Sequence, residues 1–114
     1  MARRKAKVVK RPRAIQDIVE IATFIARDSL AASDRFVAAT ERTFAQLSLM
    51  PGMGRVYDID HPSLGNIRAV PVSRFAQYLV FYHVTEGGVE VLRVIHGAPD
   101  IPTLMAEEGA QPEN

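Results

Sequence analysis

The spacing of apolar residues changes once along this chain, close to residue 51. Before that point apolar residues recur every three or four positions, which is the spacing of one buried face of an amphipathic helix. The pattern predicts two helices, Arg13–Arg27 and Leu30–Met50, with Ser29 as the N-cap of the second. The predicted buried face of the first helix consists of Ile15, Ile18, Val19, Ala22 and Ile25. Because the link between the helices is short, they are expected to form an antiparallel hairpin.

After residue 51 the chain becomes rich in β-branched and aromatic residues. Pro51, Gly52 and Gly54 end the second helix, and a loop is expected to follow. Four extended runs predict strands at Ala6–Lys10, Ile67–Val72, Gln77–Val84 and Val89–His96. The turn residues Thr85–Gly88 join the last two strands as a hairpin. The order β-α-α-β-β-β predicts an α+β fold, with the helical hairpin packed on one face of a small, mostly antiparallel sheet.

Alternation along the last strand makes both of its faces partly apolar. One predicted face carries Val89, Val91, Arg93 and Ile95, and the other carries Glu90, Leu92, Val94 and His96. The helices cover one face, so the other is expected to expose an apolar patch of the kind that binds partners. Cover by the C-terminal tail or by a second copy of the chain is the alternative.

Length and charge set the organisation of the chain. Its 114 residues suit one domain, predicted at 6–104, between a basic N-terminal arm at 1–5 and a polar tail at 105–114. Residues 1–13 hold seven of the fourteen Lys and Arg residues and no acid, so the arm can neutralise phosphates, keep the protein soluble or meet an acidic partner. No apolar run suits a signal peptide or a membrane span, which favours a cytoplasmic protein.

Several kinds of chemistry are not expected from these residues. The chain has no cysteine, and its three histidines lack the spacing of a metal site. Gly52 and Gly54 end a helix and do not form a phosphate-binding loop. We therefore expect neither a metal nor a cofactor.

Four short segments stand in an order and at spacings that are typical of one known family. The segments are Pro12-Arg13-Ala14, Pro51-Gly52-Met53-Gly54-Arg55, Phe75-Ala76-Gln77-Tyr78-Leu79-Val80-Phe81-Tyr82 and Val91-Leu92-Arg93-Val94-Ile95-His96-Gly97. Together they resemble the RelE/ParE superfamily of type II toxin–antitoxin systems, nearer the ParE branch, over about residues 6–104. The resemblance implies a toxin that is held inactive by a cognate antitoxin. It also implies one of two targets, since the RelE branch cuts mRNA on the ribosome and the ParE branch inhibits DNA gyrase.

The residues available for RNA cleavage are few. Cleavage needs a base, an acid and cations that stabilise the phosphorane charge, and Arg68, Arg93 and His96 are the candidates for these roles. Pro99 stands where nucleases of the superfamily carry a further basic residue, and no lysine follows Lys10. We therefore expect no catalytic residues and a toxin that binds gyrase. The alternatives are a ribosome-dependent mRNA endonuclease that uses those three residues, and an inactive relative that only forms a repressor complex.

Aromatic and charged residues of the predicted sheet and second helix are the candidates for partner binding. They are Phe36, Arg68, Phe75, Tyr78, Arg93 and His96. The antitoxin is expected to contact both helices and the open sheet face. Each charged candidate also has a structural alternative: Arg68 and Arg93 could pair with Asp58, Asp60 or Asp100, and His96 could be held by a hydrogen bond. His83 is assigned no partner.

Overall fold

The computed structural model describes residues 5–57 and 65–97. The predicted loop residues Asp58, Asp60 and His61, together with Asp100 and the predicted tail at 105–114, lie outside the described residues. Two helices and five strands follow one another along the described chain. Their bounds are β1 Lys7–Lys10, α1 Pro12–Ala26, α2 Leu30–Leu49, a 3-10 turn Pro51–Met53, β2 Arg55–Tyr57, β3 Ile67–Val72, β4 Phe75–Thr85 and β5 Gly88–His96. The predicted α+β class with its helical hairpin is confirmed, and the predicted element bounds differ by at most two residues.

Strand β2 is absent from the predicted order. Its three residues pair antiparallel with β3, with Val56 opposite Arg68. A strand this short shows no alternation in the sequence, and it follows directly on the glycines that end α2. Only pairing with β3, the next strand along the chain, makes these residues a strand.

The five strands form one sheet in the order β1-β5-β4-β3-β2. Strand β1 pairs parallel to β5, and the other pairs are antiparallel, so the sheet is mixed but mostly antiparallel. The β4–β5 turn uses both of its glycines. Gly87 has a φ of 85°, and a Cβ on Gly88 would collide with the carbonyl oxygen of Lys7 on β1. Gly88 therefore allows β1 to approach the sheet.

The main core lies between the helices and the sheet. Helix α2 contributes three large apolar side chains that are buried there, Phe36, Phe44 and Leu47, together with the small Ala39. The sheet contributes mostly valines and Tyr82. Burying a side chain such as Phe36 stabilises the fold by about 1.5–3 kcal/mol. Helix α2, with Ser29 as its N-cap as predicted, therefore supplies the largest helical side chains of the core.

Helix α1 turns less of its apolar face to the core than predicted. Ile18, Ala22 and Ile25 pack against the core, but Ile15 is 49% exposed and Val19 is 58% exposed. The prediction for these two residues is wrong. The buried side chains of α1 include Asp17, which is turned towards the edge of β5. That contact sets the rotation of the helix, which leaves part of its apolar face in solvent.

A bulge in β5 changes which face its side chains occupy. Phe81 of β4 stands opposite Arg93 and Tyr82 stands opposite Val91, so Leu92 is an extra residue in β5. Val94 therefore joins Val89 and Val91 in the core beneath the helices, and the predicted alternation is wrong beyond Leu92. The opposite face has a smaller core of its own, formed by Ile67, Ala69, Phe81 and Leu92. These four are buried, so the centre of that face is not the exposed patch that was predicted.

Candidate functional site

Four of the six predicted partner-binding residues form a continuous row of rings. The ring centroids of Phe75 and Phe36 are 5.4 Å apart, those of Phe36 and Tyr78 are 5.2 Å apart, and those of Tyr78 and His96 are 5.3 Å apart. All three contacts are edge-to-face, which is a favourable geometry for aromatic pairs. We call these four residues the aromatic row. The row begins at Phe75 at the start of β4, passes through Phe36 of α2 and Tyr78 of β4, and ends at His96 at the end of β5.

Exposure differs along the aromatic row. Phe36 is fully buried, so it supports its neighbours from the core and offers no surface to a partner in this conformation. Tyr78 is largely buried, Phe75 is half-buried, and His96 is exposed. The row therefore reaches the surface at two ends, and each end opens into a groove.

The first groove lies beside α1 and is named the α1 groove. Its lining residues are Glu20, Ile21, Phe24, Tyr78 and His96, and its volume is about 440 Å³. Phe24 is 61% exposed, which is unusual for so large an apolar side chain. The α1 groove thus joins an exposed aromatic ring to the His96 end of the aromatic row.

The second groove lies at the Phe75 end and is named the arginine groove. Its lining residues are Arg35, Ala38 and Arg42 of α2 with Arg74 of the β3–β4 turn and Phe75 of β4, and its volume is about 430 Å³. Phe75 is one of the predicted partner-binding residues, whereas the three arginines of this groove are not. The seven-residue spacing of Arg35 and Arg42 places both on one side of the helix and is the signal that could have found them.

A third surface lies between the two helices and is named the helix groove. It has a volume of about 320 Å³ and is lined by Ile18, Val19, Ala22, Thr23, Ala26, Ser33 and Val37. The hydroxyl of Ser33 donates a hydrogen bond to the carbonyl of Ala22 at 2.7 Å, which ties the helices together at the base of the groove. Val19 and Val37 are exposed above that contact. The helix groove is therefore an apolar surface of the kind that accepts an amphipathic segment.

Arg93 lies away from these grooves and is held by α1. Its Nε and Nη2 donate to the two carboxylate oxygens of Asp17 at 2.8 and 3.1 Å, and the backbone N–H of Val94 donates to the same carboxylate at 3.0 Å. Strand β1 pairs with β5 only as far as Val91, so Asp17 provides acceptors at the strand edge beyond that point. The structural alternative for Arg93 is therefore observed, with a partner that the sequence analysis did not name.

Arg68 is bound to the segment that follows α2. Its Nη1 donates to the carbonyl oxygens of Gly52 and Gly54 at 3.2 and 2.7 Å. The Tyr82 hydroxyl also holds this segment, since it donates to Pro51 O at 2.8 Å and accepts from Gly54 N at 2.8 Å. A Cβ on Gly54 would lie 2.5 Å from that hydroxyl oxygen, so only glycine fits there. Burial raises the pKa of Tyr82, although the Gly54 hydrogen bond and the Arg68 charge oppose the rise.

His83 has a partner, which corrects the sequence analysis. It stands directly opposite Glu90 in the β4–β5 hairpin, and its Nε2 lies 2.7 Å from Glu90 Oε1. Arg11 Nε donates to the other carboxylate oxygen at 3.1 Å. Burial alone would raise the pKa of Glu90, but the hydrogen bonds and charges of His83 and Arg11 lower it below its usual value. Counting residues outwards from the Thr85–Gly88 turn would have revealed this pair.

The three candidates for catalysis therefore contact three different parts of the fold. Arg68 contacts the segment after α2, Arg93 contacts Asp17, and His96 packs on Tyr78. Among residues 5–57 and 65–97, no group of three or more His, Cys, Asp or Glu side chains is placed to hold a metal ion. Within the same ranges, neither helix is both long and apolar enough to span a membrane.

Comparison with known proteins places this fold in a family. Residues 8–101 match the family model described as the ParE toxin of the type II toxin-antitoxin system, parDE. A comparison with curated proteins found no match. The family match covers most of the chain and confirms the resemblance to the RelE/ParE superfamily. The chain therefore belongs to the ParE toxin family and is the toxin component of a type II toxin–antitoxin system.

Proposed function

We propose that this toxin acts in the cytoplasm by binding DNA gyrase, that it does not cut RNA, and that its cognate antitoxin neutralises it by covering the helices. The observation that carries the proposal is the separation of Arg68, Arg93 and His96, which contact three different parts of the fold. Family membership supports the toxin class, and this separation favours binding over bond cleavage.

Cleavage of a phosphodiester needs its base, its acid and its cations around one reacting phosphate. Arg93 is buried with a carboxylate that accepts from two of its nitrogen atoms, so moving it to a substrate would break both of these charge-assisted hydrogen bonds. Arg68 is committed to two backbone carbonyls. In this conformation Arg93 is unavailable to a substrate, and Arg68 is tied through its Nη1 to the segment after α2. The open grooves of this fold suit the docking of a macromolecule instead.

A supercoiling assay with purified gyrase tests the target. We expect micromolar toxin to inhibit supercoiling, and addition of the antitoxin to restore it. Absence of inhibition would contradict the proposal.

Mapping of transcript ends after brief induction in cells separates the alternatives, because codon-phased breaks in mRNA would identify a ribosome-dependent nuclease. Unimpaired growth without the antitoxin would identify an inactive relative.

The helix groove is the surface that we assign to the antitoxin. It is apolar, it lies between two helices that are tied together, and it adjoins the exposed face of α1. An amphipathic antitoxin helix would bury Val19 and Val37 there, and because both are already partly buried, each would contribute less than the roughly 1.5–3 kcal/mol of a fully exposed side chain. The α1 groove, with Phe24 and Tyr78, extends this surface towards the sheet.

Aspartate substitutions test the assignment of the helix groove. We expect Val19→Asp and Val37→Asp each to weaken antitoxin binding by about tenfold or more, because each places a charge in the apolar contact. Val84→Asp is the matched control, since Val84 is 49% exposed but lies on β4, outside the helix groove. Titration calorimetry measures the affinities. Equal affinities for all three variants would remove the assignment.

A further inference from the structure

The arginine groove gathers three of the seven basic residues that follow Arg13. Arg35 and Arg42 stand seven residues apart on α2, so their Cα atoms are separated by about 10 Å along the helix axis. Arg74 faces them from the β3–β4 turn, with Phe75 beside it. The groove thus presents three positive charges around one aromatic ring. Its lining contains no acidic residue.

These three arginines differ from the other basic residues of the fold. All three are exposed, and within residues 5–57 and 65–97 no carboxylate forms an ion pair with any of them. By contrast, Arg68 and Arg93 are bound to carbonyls and to a carboxylate. Guanidinium groups bind phosphate in a planar, two-pronged geometry and also stack on flat rings. The arginine groove is therefore available for an anionic ligand.

The groove is also held in a defined shape. The backbone N–H of Ser73 donates to the Thr43 hydroxyl at 3.0 Å, which fastens the β3–β4 turn to α2. The ring of Phe75 is fixed by its edge-to-face contact with Phe36. Arg74 itself has a φ of 67°, in the left-handed region that suits glycine or asparagine better than arginine. Arg74 is the second residue of the two-residue β3–β4 turn, a position where a positive φ is common.

From this geometry we infer that the arginine groove binds the phosphate backbone of a single-stranded nucleic acid. Positive grooves that also offer an aromatic ring for a base are characteristic of proteins that bind single strands. A concave groove suits a flexible strand better than a stiff duplex. An acidic peptide would satisfy the arginines but would make no use of the Phe75 ring. The inference goes beyond binding of gyrase, because it assigns a nucleic-acid contact to the toxin itself.

Fluorescence anisotropy with the full-length toxin and short labelled single strands of DNA and RNA tests this inference without any gyrase. We expect the pair Arg35→Gln and Arg42→Gln to raise the Kd by about tenfold or more at low salt. The slope of log K against log salt should fall by about 1.4, which corresponds to about 0.7 for each lost phosphate contact. Arg27→Gln with Arg55→Gln removes the same charge outside the groove and should change the Kd by less than about twofold.

Arg74→Gly separates a binding role from a structural role. Glycine adopts the positive φ without strain, so the variant should unfold at the same temperature as the wild type or higher, while its affinity for the single-stranded nucleic acid falls.

The basic arm is tested by Arg3→Gln with Arg4→Gln. If that pair abolishes binding while the groove variants retain it, the inference is overturned. Tighter binding of a polyglutamate peptide, or of duplex DNA, would overturn it as well, and the gyrase assay would be unaffected by any of these outcomes.

Discussion

The edge of β5 and the arginine groove both depend on arginine, and they use it in opposite ways. At the edge, Arg93 and Arg11 are buried, and their charges are matched by Asp17 and Glu90. In the groove, Arg35, Arg42 and Arg74 are exposed and no described carboxylate pairs with them. A buried charge without its partner destabilises a fold strongly, whereas an exposed charge scarcely affects stability. The comparison therefore divides the arginines into those that hold the fold together and those that are free to bind.

Arg68 lies between these two groups. It is half-buried and donates to carbonyl oxygens of the segment after α2, so its contacts are neutral and not ionic. A charged donor to a neutral acceptor contributes about 1.5–3 kcal/mol at most. The loss of stability on substitution should therefore be largest at the β5 edge, intermediate at the Arg68 and Tyr82 contacts, and smallest in the arginine groove.

Asp17→Asn should have the largest effect. It leaves the buried Arg93 guanidinium without its counter-ion, and the free energy of unfolding should fall by about 3 kcal/mol, as for other broken buried pairs. Urea unfolding measures the loss. Asp34→Asn on the exposed side of α2 is the control and should stay within about 0.5 kcal/mol of the wild type. Adding Arg93→Met to Asp17→Asn should recover part of the loss, and failure of any recovery would argue against an unpaired charge as its cause.

Tyr82→Phe should have an intermediate effect. The change removes one hydroxyl and leaves Gly54 N and Pro51 O without their hydrogen-bond partner, which should cost about 1–3 kcal/mol of stability. Tyr57→Phe is the matched control, because its ring contact with Phe81 is kept. Thermal unfolding of both variants measures the difference. Equal stabilities would show that the hydroxyl does not hold the segment after α2.

The Glu90 contact makes part of the stability depend on pH. The pKa of Glu90 is lowered in the folded protein, so its contribution is fully present above the ordinary carboxyl pKa and is lost as pH falls through the folded pKa. Glu90→Gln should lower stability by about 1 kcal/mol at neutral pH and flatten the acid limb of the stability curve. Urea unfolding at stepped pH values measures both effects. Glu41→Gln, on the exposed side of α2, should leave the acid limb unchanged, and parallel curves for the Glu90 variant and the wild type would contradict the assignment.

Substitutions in the arginine groove should have the smallest effect on stability. Arg35→Gln and Arg42→Gln should each stay within about 0.5 kcal/mol of the wild type, since neither side chain is buried or paired. Arg74→Gly should stabilise by less than about 1 kcal/mol, because relief of the positive φ is partly offset by the flexibility of glycine. Thermal unfolding measures both. A loss comparable to that of Asp17→Asn would erase the distinction between the two regions.

Local patterns were enough to predict the main elements. Both helices follow from the three- and four-residue spacing of apolar residues before Pro51, and the β4–β5 hairpin follows from Gly87 and Gly88 between two β-prone runs. The same turn also fixes the pairing of His83 with Glu90, which was not predicted. These features are predictable because neighbours along the chain determine them.

The functional surfaces were only partly predictable for the opposite reason. Phe36, Phe75, Tyr78 and His96 were chosen separately as aromatic or polar candidates, but only packing of α2 on β4 and β5 makes them one row with a buried centre. The bulge at Leu92 reversed the faces of Val94 and Ile95, since its position depends on the register between two strands. Likewise, Asp17 and Arg93 are 76 residues apart, so no local pattern joins them.

The sequence by itself determined the class of fold, the helical hairpin, the order of the long strands and the toxin family that the chain resembles. Those properties depend on hydrophobic periodicity and turn residues, which act over a few neighbouring positions. Only the tertiary structure decided which arginines are bound and which are free, because a charge is neutralised by what lies beside it in space. The division between the β5 edge and the arginine groove, and the function proposed for each, therefore arise at the level of packing.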